Sequence, residues 1–403
     1  MPVPQQAYVL LEIVPQGNTG SGNSPVNFCL VLDRSGSMAG EKLEQMKAAA
    51  KLVVDRMSPH DVLSVIVFDD SQPAELVIPA GPVEDPVRLK QRLDLIEERG
   101  GTHMSTGMEL GVRQLEGGRR ADRVSSMILL TDGQTWEDEQ SCLDLADRCL
   151  SLGIPIYVMG FGVDEESNWD PHLLEDIARR SGGEWMVIES PDQAGEVFEK
   201  TLVEAKRVLA TNARMTLRFV PGVTPRAVWR VSPLINRLDQ QSISTHDIQI
   251  PLGDIQQGSG QTILVDLALP PRPAGEYRLA QADVCYDLPG AGTNDQRSAL
   301  DLVIRFSENP EKAEQTEAHV MNIVERVLAH RLQTLALDEA AHGDLAKATQ
   351  RLRAAATRLL DLGENDLARR ADVQAELIEQ KGQLDLAEAK KMRYATRRLA
   401  NSE

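Results

Sequence analysis

The stretch VNFCLVLDRSGSMAG, residues 26–40, begins as an unbroken apolar run, stops at Asp33, and then places Ser35 and Ser37 at alternate positions. A continuous apolar run is what a strand covered on both faces requires. Directly after it, EKLEQMKAAAKLVVDRM, residues 41–57, has apolar residues at helical spacing. The unit is therefore strand, tight oxygen-rich loop, helix.

Working outward, the same alternation continues to about residue 206. DVLSVIVFDD, VSSMILLTDG, IPIYVMGFG and EWMVIES read as strands, AELVIPAG as a short edge strand. DPVRLKQRLDLIEE, STGMELGVRQLEGG, DEQSCLDLADRCLSLG, DPHLLEDIARRSGG and PDQAGEVFEKTLVEAKRVL read as helices. Alternation of this kind predicts an α/β domain, a doubly wound and mostly parallel sheet with helices on both faces, over residues 26–208. From residue 209 to 309 the runs become short, many alternate polar with apolar, and Pro and Gly separate them, as in an antiparallel β-sandwich. The opening strand YVLLEIVP, within residues 1–25, is assigned to that sandwich, which makes the α/β domain an insertion held by two tethers. Residues 310–403 are rich in Ala, Leu, Arg, Glu and Gln and read as helices joined at Gly343, Gly363 and Gly382, a helical hairpin or bundle.

A doubly wound sheet presents ligands beyond the carboxyl ends of its strands. Asp33 ends one strand there, and the hydroxyls of Ser35 and Ser37 can converge beside it, with Gly36 expected to permit the turn. ILLTDG places Asp132 at the end of another buried strand, and GGTHMSTGM supplies Thr102 on a loop kept open by Gly100 and Gly101. Hard oxygen donors on tight loops suit Mg²⁺. Taken alone, Asp33, Ser35 and Ser37 read equally well as an ordinary helix N-cap. The separate Thr102 and Asp132 tip the reading to a metal site.

Asp-x-Ser-x-Ser, a Gly-Gly-Thr loop and Thr-Asp-Gly at a strand end, in this order over residues 26–206, resemble the von Willebrand factor A domain. The resemblance implies a metal-ion-dependent adhesion site. The two serines and the threonine would ligate the ion directly, and the aspartates directly or through water. It implies Mg²⁺, leaving Mn²⁺ or Ca²⁺ open, and a protein partner whose Asp or Glu carboxylate completes the ion. It also implies that ligation moves the last helix of the domain, here joined to the sandwich. The α/β region is similar to inter-alpha-trypsin inhibitor heavy chains. Some bacterial relatives of this architecture work with AAA+ ATPases of the MoxR type. Two other readings are a scaffold that oligomerises through its helical tail around a merely stabilising ion, and a metal-dependent hydrolase.

The remaining features bound the function. With 43 Lys and Arg against 61 Asp and Glu, the net charge is −18, which disfavours nucleic acid. No apolar run approaches the ~20 residues of a membrane helix, and the first residues lack a signal-peptide pattern, so the expected location is the cytoplasm. Cys29, Cys142, Cys149 and Cys285 have no zinc-site spacing and are expected as free thiols. No nucleophile elbow, zinc signature or phosphate loop is present, and an enzyme is not expected. His103 beside Thr102 is the one cheap candidate base. Asp69 and Asp70 read as turn residues or a second ion site, Arg34 as pointing outward, and Trp136 and Glu137 as partner-facing. The basic stretch with Lys390, Lys391, Arg393, Arg397 and Arg398 reads as a helix end suited to its dipole, or as a docking patch for an acidic partner.

Overall fold

The computed structural model describes residues 5–15, 24–120, 122–135, 137–162, 170–238, 241–244, 246–313, 315–381 and 385–399. Trp136 and Gly382 lie outside these, as does the side chain of Lys390.

Strand β1 (Gln5–Ile13) comes first. The central sheet follows: β2 (Val26–Asp33), β3 (Val62–Phe68), β4 (Glu75–Pro82), β5 (Val124–Thr131), β6 (Ile156–Phe161) and β7 (Trp185–Ile188), in spatial order β4-β3-β2-β5-β6-β7. All neighbours are parallel except β3 and β4. Between them come α1 (Glu41–Arg56), α2 (Pro86–Asp94), α3 (Met104–Gly118), α4 (Glu139–Leu152), α5 (Pro171–Ser181) and α6 (Ala194–Lys206). Every residue of β2, β3, β5 and β6 is buried, because successive side chains point to opposite faces and both faces are covered. Phe28, Leu30 and Leu32 pack with Met46, Val53 and Phe198 of α1 and α6. Cys29 and Val31 pack with Met108, Val112 and Cys149 on the other side.

The second region has β8 (Val208–Phe219), β9 (Thr224–Ser232), β10 (Asn236–Arg237), β11 (Gln241–Ser242), β12 (Asp247–Gln256), β13 (Gln261–Leu269), β14 (Gly275–Leu288) and β15 (Thr293–Phe306). They form two antiparallel sheets, β1-β13-β9-β10 and β11-β12-β8-β14-β15. Their facing apolar residues, among them Leu217, Ile250, Ile263 and Leu267, make one sandwich core. β1 pairs along its whole length with β13, from Gln5–Leu269 to Ile13–Gln261.

The chain thus leaves the sandwich through β1, makes the α/β domain, and returns through β8. The two crossings are fastened together. Asp61 accepts from the Val26 amide at 3.0 Å and the Ser58 amide at 2.7 Å, and pairs with Lys206 at 2.8 Å. The Ser24 amide donates to the Lys206 carbonyl at 3.2 Å. One residue, Arg207, separates α6 from β8.

The helical region comprises α7 (Pro310–Ala313), α8 (Ala318–Ala341), α9 (Leu345–Asp361), α10 (Asn365–Lys381) and α11 (Leu386–Arg397). Gly343 and Gly363 sit at positive φ of 85° and 80° between the long helices, the conformation glycine tolerates best at a helix end. Among the described residues no helix is long and apolar enough to cross a membrane.

The basic C-terminal stretch does end a helix, with Arg397 in the last turn of α11 and Arg398 at its cap, as one expectation had it. The docking patch is corrected: Arg393 and Arg397 are buried in the junction of all three regions. Arg393 pairs with Glu175 of α5 and Asp338 of α8, at 2.7 and 3.1 Å. Arg397 stacks over Trp185 of β7 at 5.5 Å and donates to Asn236 of β10 at 2.5 Å. Burial alone would raise Glu175, but Arg397 and Arg393 hold its carboxyl below the usual range. Beside them His330, bonded to Thr396 at 3.1 Å, is pushed down to about 3 by burial, helped by the two arginines.

Candidate metal centre

β2 lies between β3 and β5, and the chain runs outward from it in both directions, so the sheet's topological switch point lies between β2 and β5. Asp33 is the last residue of β2, and Asp132 directly follows β5. Two aspartates therefore flank the crevice where this topology presents ligands.

Asp33 and Asp132 have no exposure at all, and Ser35 and Thr102 are 2% and 7% exposed. Their oxygens are linked. The Asp33 carboxylate accepts from the Thr131 hydroxyl at 2.6 Å and from the Ser35 amide at 2.8 Å. The Ser35 and Ser37 hydroxyl oxygens stand 3.1 Å apart, and the Ser37 hydroxyl donates to Asp132 Oδ1 at 2.6 Å. A Cβ placed on Gly133 would stand 3.5 Å from Thr102 Oγ1 and 3.7 Å from Ser37 Oγ. The small residue of Thr-Asp-Gly thus leaves room where hydroxyls from two other loops meet. Asp33, Ser35, Ser37 and Asp132 are joined directly, and Thr102 adjoins them across Gly133.

The loops are clamped to each other by backbone bonds. Arg34 donates its amide to the Phe68 carbonyl at 3.0 Å, the Gly36 amide to Gly100 at 3.0 Å, and the Arg99 amide to Arg34 at 2.7 Å. The expected need for glycine at residue 36 falls instead on Gly100. Gly100 has φ of +64°, and a Cβ there would collide with Asp70 Oδ1 at 2.1 Å. The Thr102 loop is fixed from the far side. Amides of Met104 and Ser105, at the start of α3, donate to Thr135 Oγ1 and Asp138 Oδ2 at 3.0 and 2.6 Å. A carboxylate is well placed against that positive helix end.

Burial pushes the Asp33 carboxyl up to about 6, and the charge of Asp132 adds to this; the donors Thr131 and Ser35 offset only part of it. Asp33 is thus a buried carboxylate answered by hydroxyls and an amide rather than by a cation. Two carboxylates with three hydroxyls are hard donors of the kind Mg²⁺ prefers, so the donor chemistry fits such an ion. Among the described residues no group of three or more His, Cys, Asp or Glu is arranged to hold a metal ion.

The lesser candidates resolve as follows. Arg34 does not point outward: it is 7% exposed and pairs with Asp69 and Glu75, both at 2.7 Å. Asp69 also takes the Ser71 amide at 2.5 Å, so it acts as a turn residue and anchor for Arg34. His103 Nε2 lies 3.5 Å from the Gln72 amide nitrogen and 3.8 Å from Asp138. Glu137 is exposed at a positive φ of 59°. The four cysteines are free thiols. Thr131 and Lys42 were missed by sequence reasoning. Thr131 precedes the aspartate of Thr-Asp-Gly, and that proximity was its only signal. Lys42 Nζ reaches Asp132 Oδ2 at 2.8 Å across 90 residues of chain.

Comparison with known proteins bears on the fold. Residues 27–200 match the von Willebrand factor type A domain, and residues 318–402 the Sll0103-like, C-terminal alpha-helical domain. The uncharacterized protein sll0103 of Synechocystis sp. (strain ATCC 27184 / PCC 6803 / Kazusa) is 29% identical over 362 residues, covering 87% of this chain and 82% of that protein. Inter-alpha-trypsin inhibitor heavy chain H4 of Homo sapiens is 29% identical over 189 residues, 44% of this chain but only 20% of that protein. Among solved structures, the von Willebrand factor type A protein from Catenulispora acidiphila superimposes with a TM-score of 0.77 at 18% identity, covering 98% of this chain and 97% of that one. At that identity the likeness speaks to fold, and it extends across all three regions. The chain thus carries a von Willebrand factor type A domain over residues 27–200 and a region over residues 318–402 that matches the Sll0103-like, C-terminal alpha-helical domain.

Proposed function

We propose that this chain is a metal-dependent protein-binding module. In this reading Asp33, Ser35, Ser37, Thr102 and Asp132 hold one divalent ion of the Mg²⁺ type. The ion supplies a Lewis-acidic position that an Asp or Glu carboxylate of a protein partner completes. The observation that carries the reading is the meeting of three loops' oxygens at the switch point, with Ser37 Oγ 3.1 Å from Ser35 and 2.6 Å from Asp132. The protein's own part is to hold those oxygens in place. Thr131 and the Ser35 amide fix Asp33, and the backbone clamps among residues 34–36, 68 and 99–100 set the loop positions. An AAA+ ATPase system is one partner class that fits the reading, and the cytoplasm one location.

The same reading couples the site to the rest of the molecule. α6 packs on α1, whose preceding loop carries the serines, and runs through one residue into β8. A shift of α6 would therefore be felt by the sandwich, and the ligand must prefer the shifted state for this to occur. A scaffold that oligomerises through its tail is less favoured. Much of the apolar surface of α8 to α11 is already covered within the chain, against Val231 and Leu264 of the sandwich and among the helices themselves.

The test is co-purification of partners by the intact chain with Mg²⁺ against chelator, beside a Ser35→Ala, Ser37→Ala double variant. The reading expects one set of partners lost both with chelator and in the variant. Partners retained in both would overturn it.

A further inference from the structure

Lys42 is the second residue of α1, where a cation opposes the helix dipole. Its side chain is 15% exposed, and its ammonium sits 2.8 Å from Oδ2 of Asp132, a carboxylate with no exposure. The other oxygen of that carboxylate, Oδ1, takes the Ser37 hydroxyl at 2.6 Å. One carboxylate thus bridges a hydroxyl of the candidate metal site and a fixed ammonium. The other cation of this loop, Arg34, is already paired with Asp69 and Glu75.

We propose that Lys42 is a specificity-determining residue, the fixed positive charge that makes the ion-loaded site select an anionic group over a neutral oxygen donor. This inference rests on the metal-binding reading above. Its basis is a charge count. Asp33 and Asp132 carry two negative charges, a divalent ion cancels both, and Lys42 leaves the loaded site with one positive charge. A carboxylate from a partner brings the whole to neutrality. A carbonyl or amide oxygen leaves the excess charge uncancelled beside the buried carboxylates of Asp33 and Asp132, where opposite charges attract more strongly than in bulk water. Without Lys42 the loaded site would be neutral, and an arriving carboxylate would gain only the bond to the ion. Lys42 should also repel the ion itself. The two effects of its removal therefore have opposite signs, a pattern that a merely structural lysine would not produce.

The experiment uses the intact chain as wild type, Lys42→Met and Lys42→Arg. Mn²⁺ binding is followed by electron paramagnetic resonance. With Mn²⁺ saturating, acetate and then acetamide are titrated while water-proton relaxation reports displacement of water from the ion. The expected result is Mn²⁺ bound by Lys42→Met at least as tightly as by wild type, acetate binding weaker by about tenfold, and acetamide unchanged. Lys42→Arg should keep the preference for acetate. Equal acetate affinity in wild type and Lys42→Met would overturn the inference while leaving the metal site standing. Loss of Mn²⁺ binding in Lys42→Met would also overturn it, showing a lysine needed to position Asp132 rather than to select charge. Failure of the wild type to bind Mn²⁺ would remove the metal-binding reading and this inference together.

Discussion

Strand β2 starts at one buried aspartate and ends in another. At its first residue the Val26 amide donates to Asp61, and its last residue is Asp33. Both carboxylates lie in the interior, at 1% and 0% exposure. Burial pushes both upward, yet the outcomes differ. Asp61 ends below the usual carboxylate range because Lys206 and the amides of Ser58 and Val26 answer its charge. Asp33 ends near 6 because it faces hydroxyls, an amide and a second carboxylate. The lesson is that a buried charge must be read by what answers it. A satisfied one is a fastening. An under-compensated one, at the sheet's switch point, has the character of a site prepared for a cation.

The largest effect expected from this contrast is at the fastened end. Asp61→Ala leaves the Lys206 ammonium, only 13% exposed, without its carboxylate, and frees the two amides at the crossings between domains. Removing one member of a buried pair costs about 3–5 kcal/mol. Urea denaturation of the intact chain should show that loss; a loss below 1 kcal/mol would mean that Asp61 does not hold the tethers.

Next in size is an acid effect at the three-way junction. His330 titrates near 3 when folded and near 6.5 when free. Between these values the unfolded chain holds a proton that the folded chain refuses, so stability is full above pH 6.5 and falls as the pH drops toward 3. From pH 6.5 to pH 5 this amounts to 1.5 pH units at about 1.4 kcal/mol each, or about 2 kcal/mol. His330→Asn should flatten that part of the stability curve, and an unchanged slope would place the acid sensitivity elsewhere.

The smallest expected change is at the other end of β2. Asp33→Asn removes a charge that nothing fully answers, so metal-free stability at pH 7 should move by no more than about 1 kcal/mol. Asp61→Asn, at the fastened end, should cost clearly more. Equal losses for the two asparagine variants would erase the contrast between them.

These differences were only partly legible in the sequence. The α/β sheet was, because VNFCLVLD and VSSMILLT are apolar without a break and such runs need cover on both faces. The sandwich was, because strands such as QTILVDLAL show the partial alternation of one buried face. The helical region was marked by its glycines. The five oxygen-bearing residues could be singled out because each ends a strand or lies in an adjoining loop, where the fold type fixes the direction it faces. What stayed hidden depended on partners far along the chain. Arg393 is buried because Glu175, 218 residues earlier, meets it there, and a run of cations reads by default as solvated. Arg34 was expected outside for the same reason, since Asp69 and Glu75 come to it only through β3 and β4. Lys42 was not legible, because nothing local pairs it with Asp132, 90 residues away.

The central claim is that the oxygens around Asp33 and Asp132 await a divalent ion. Thermal unfolding of the intact chain at pH 7, with and without Mg²⁺, measures this most directly when wild type is run beside Asp33→Asn. The account predicts that Mg²⁺ at about 100 times its dissociation constant stabilises wild type by about 2.7 kcal/mol, and Asp33→Asn not at all. Wild type and Asp33→Asn responding alike to Mg²⁺, whether both shift or neither does, would contradict it.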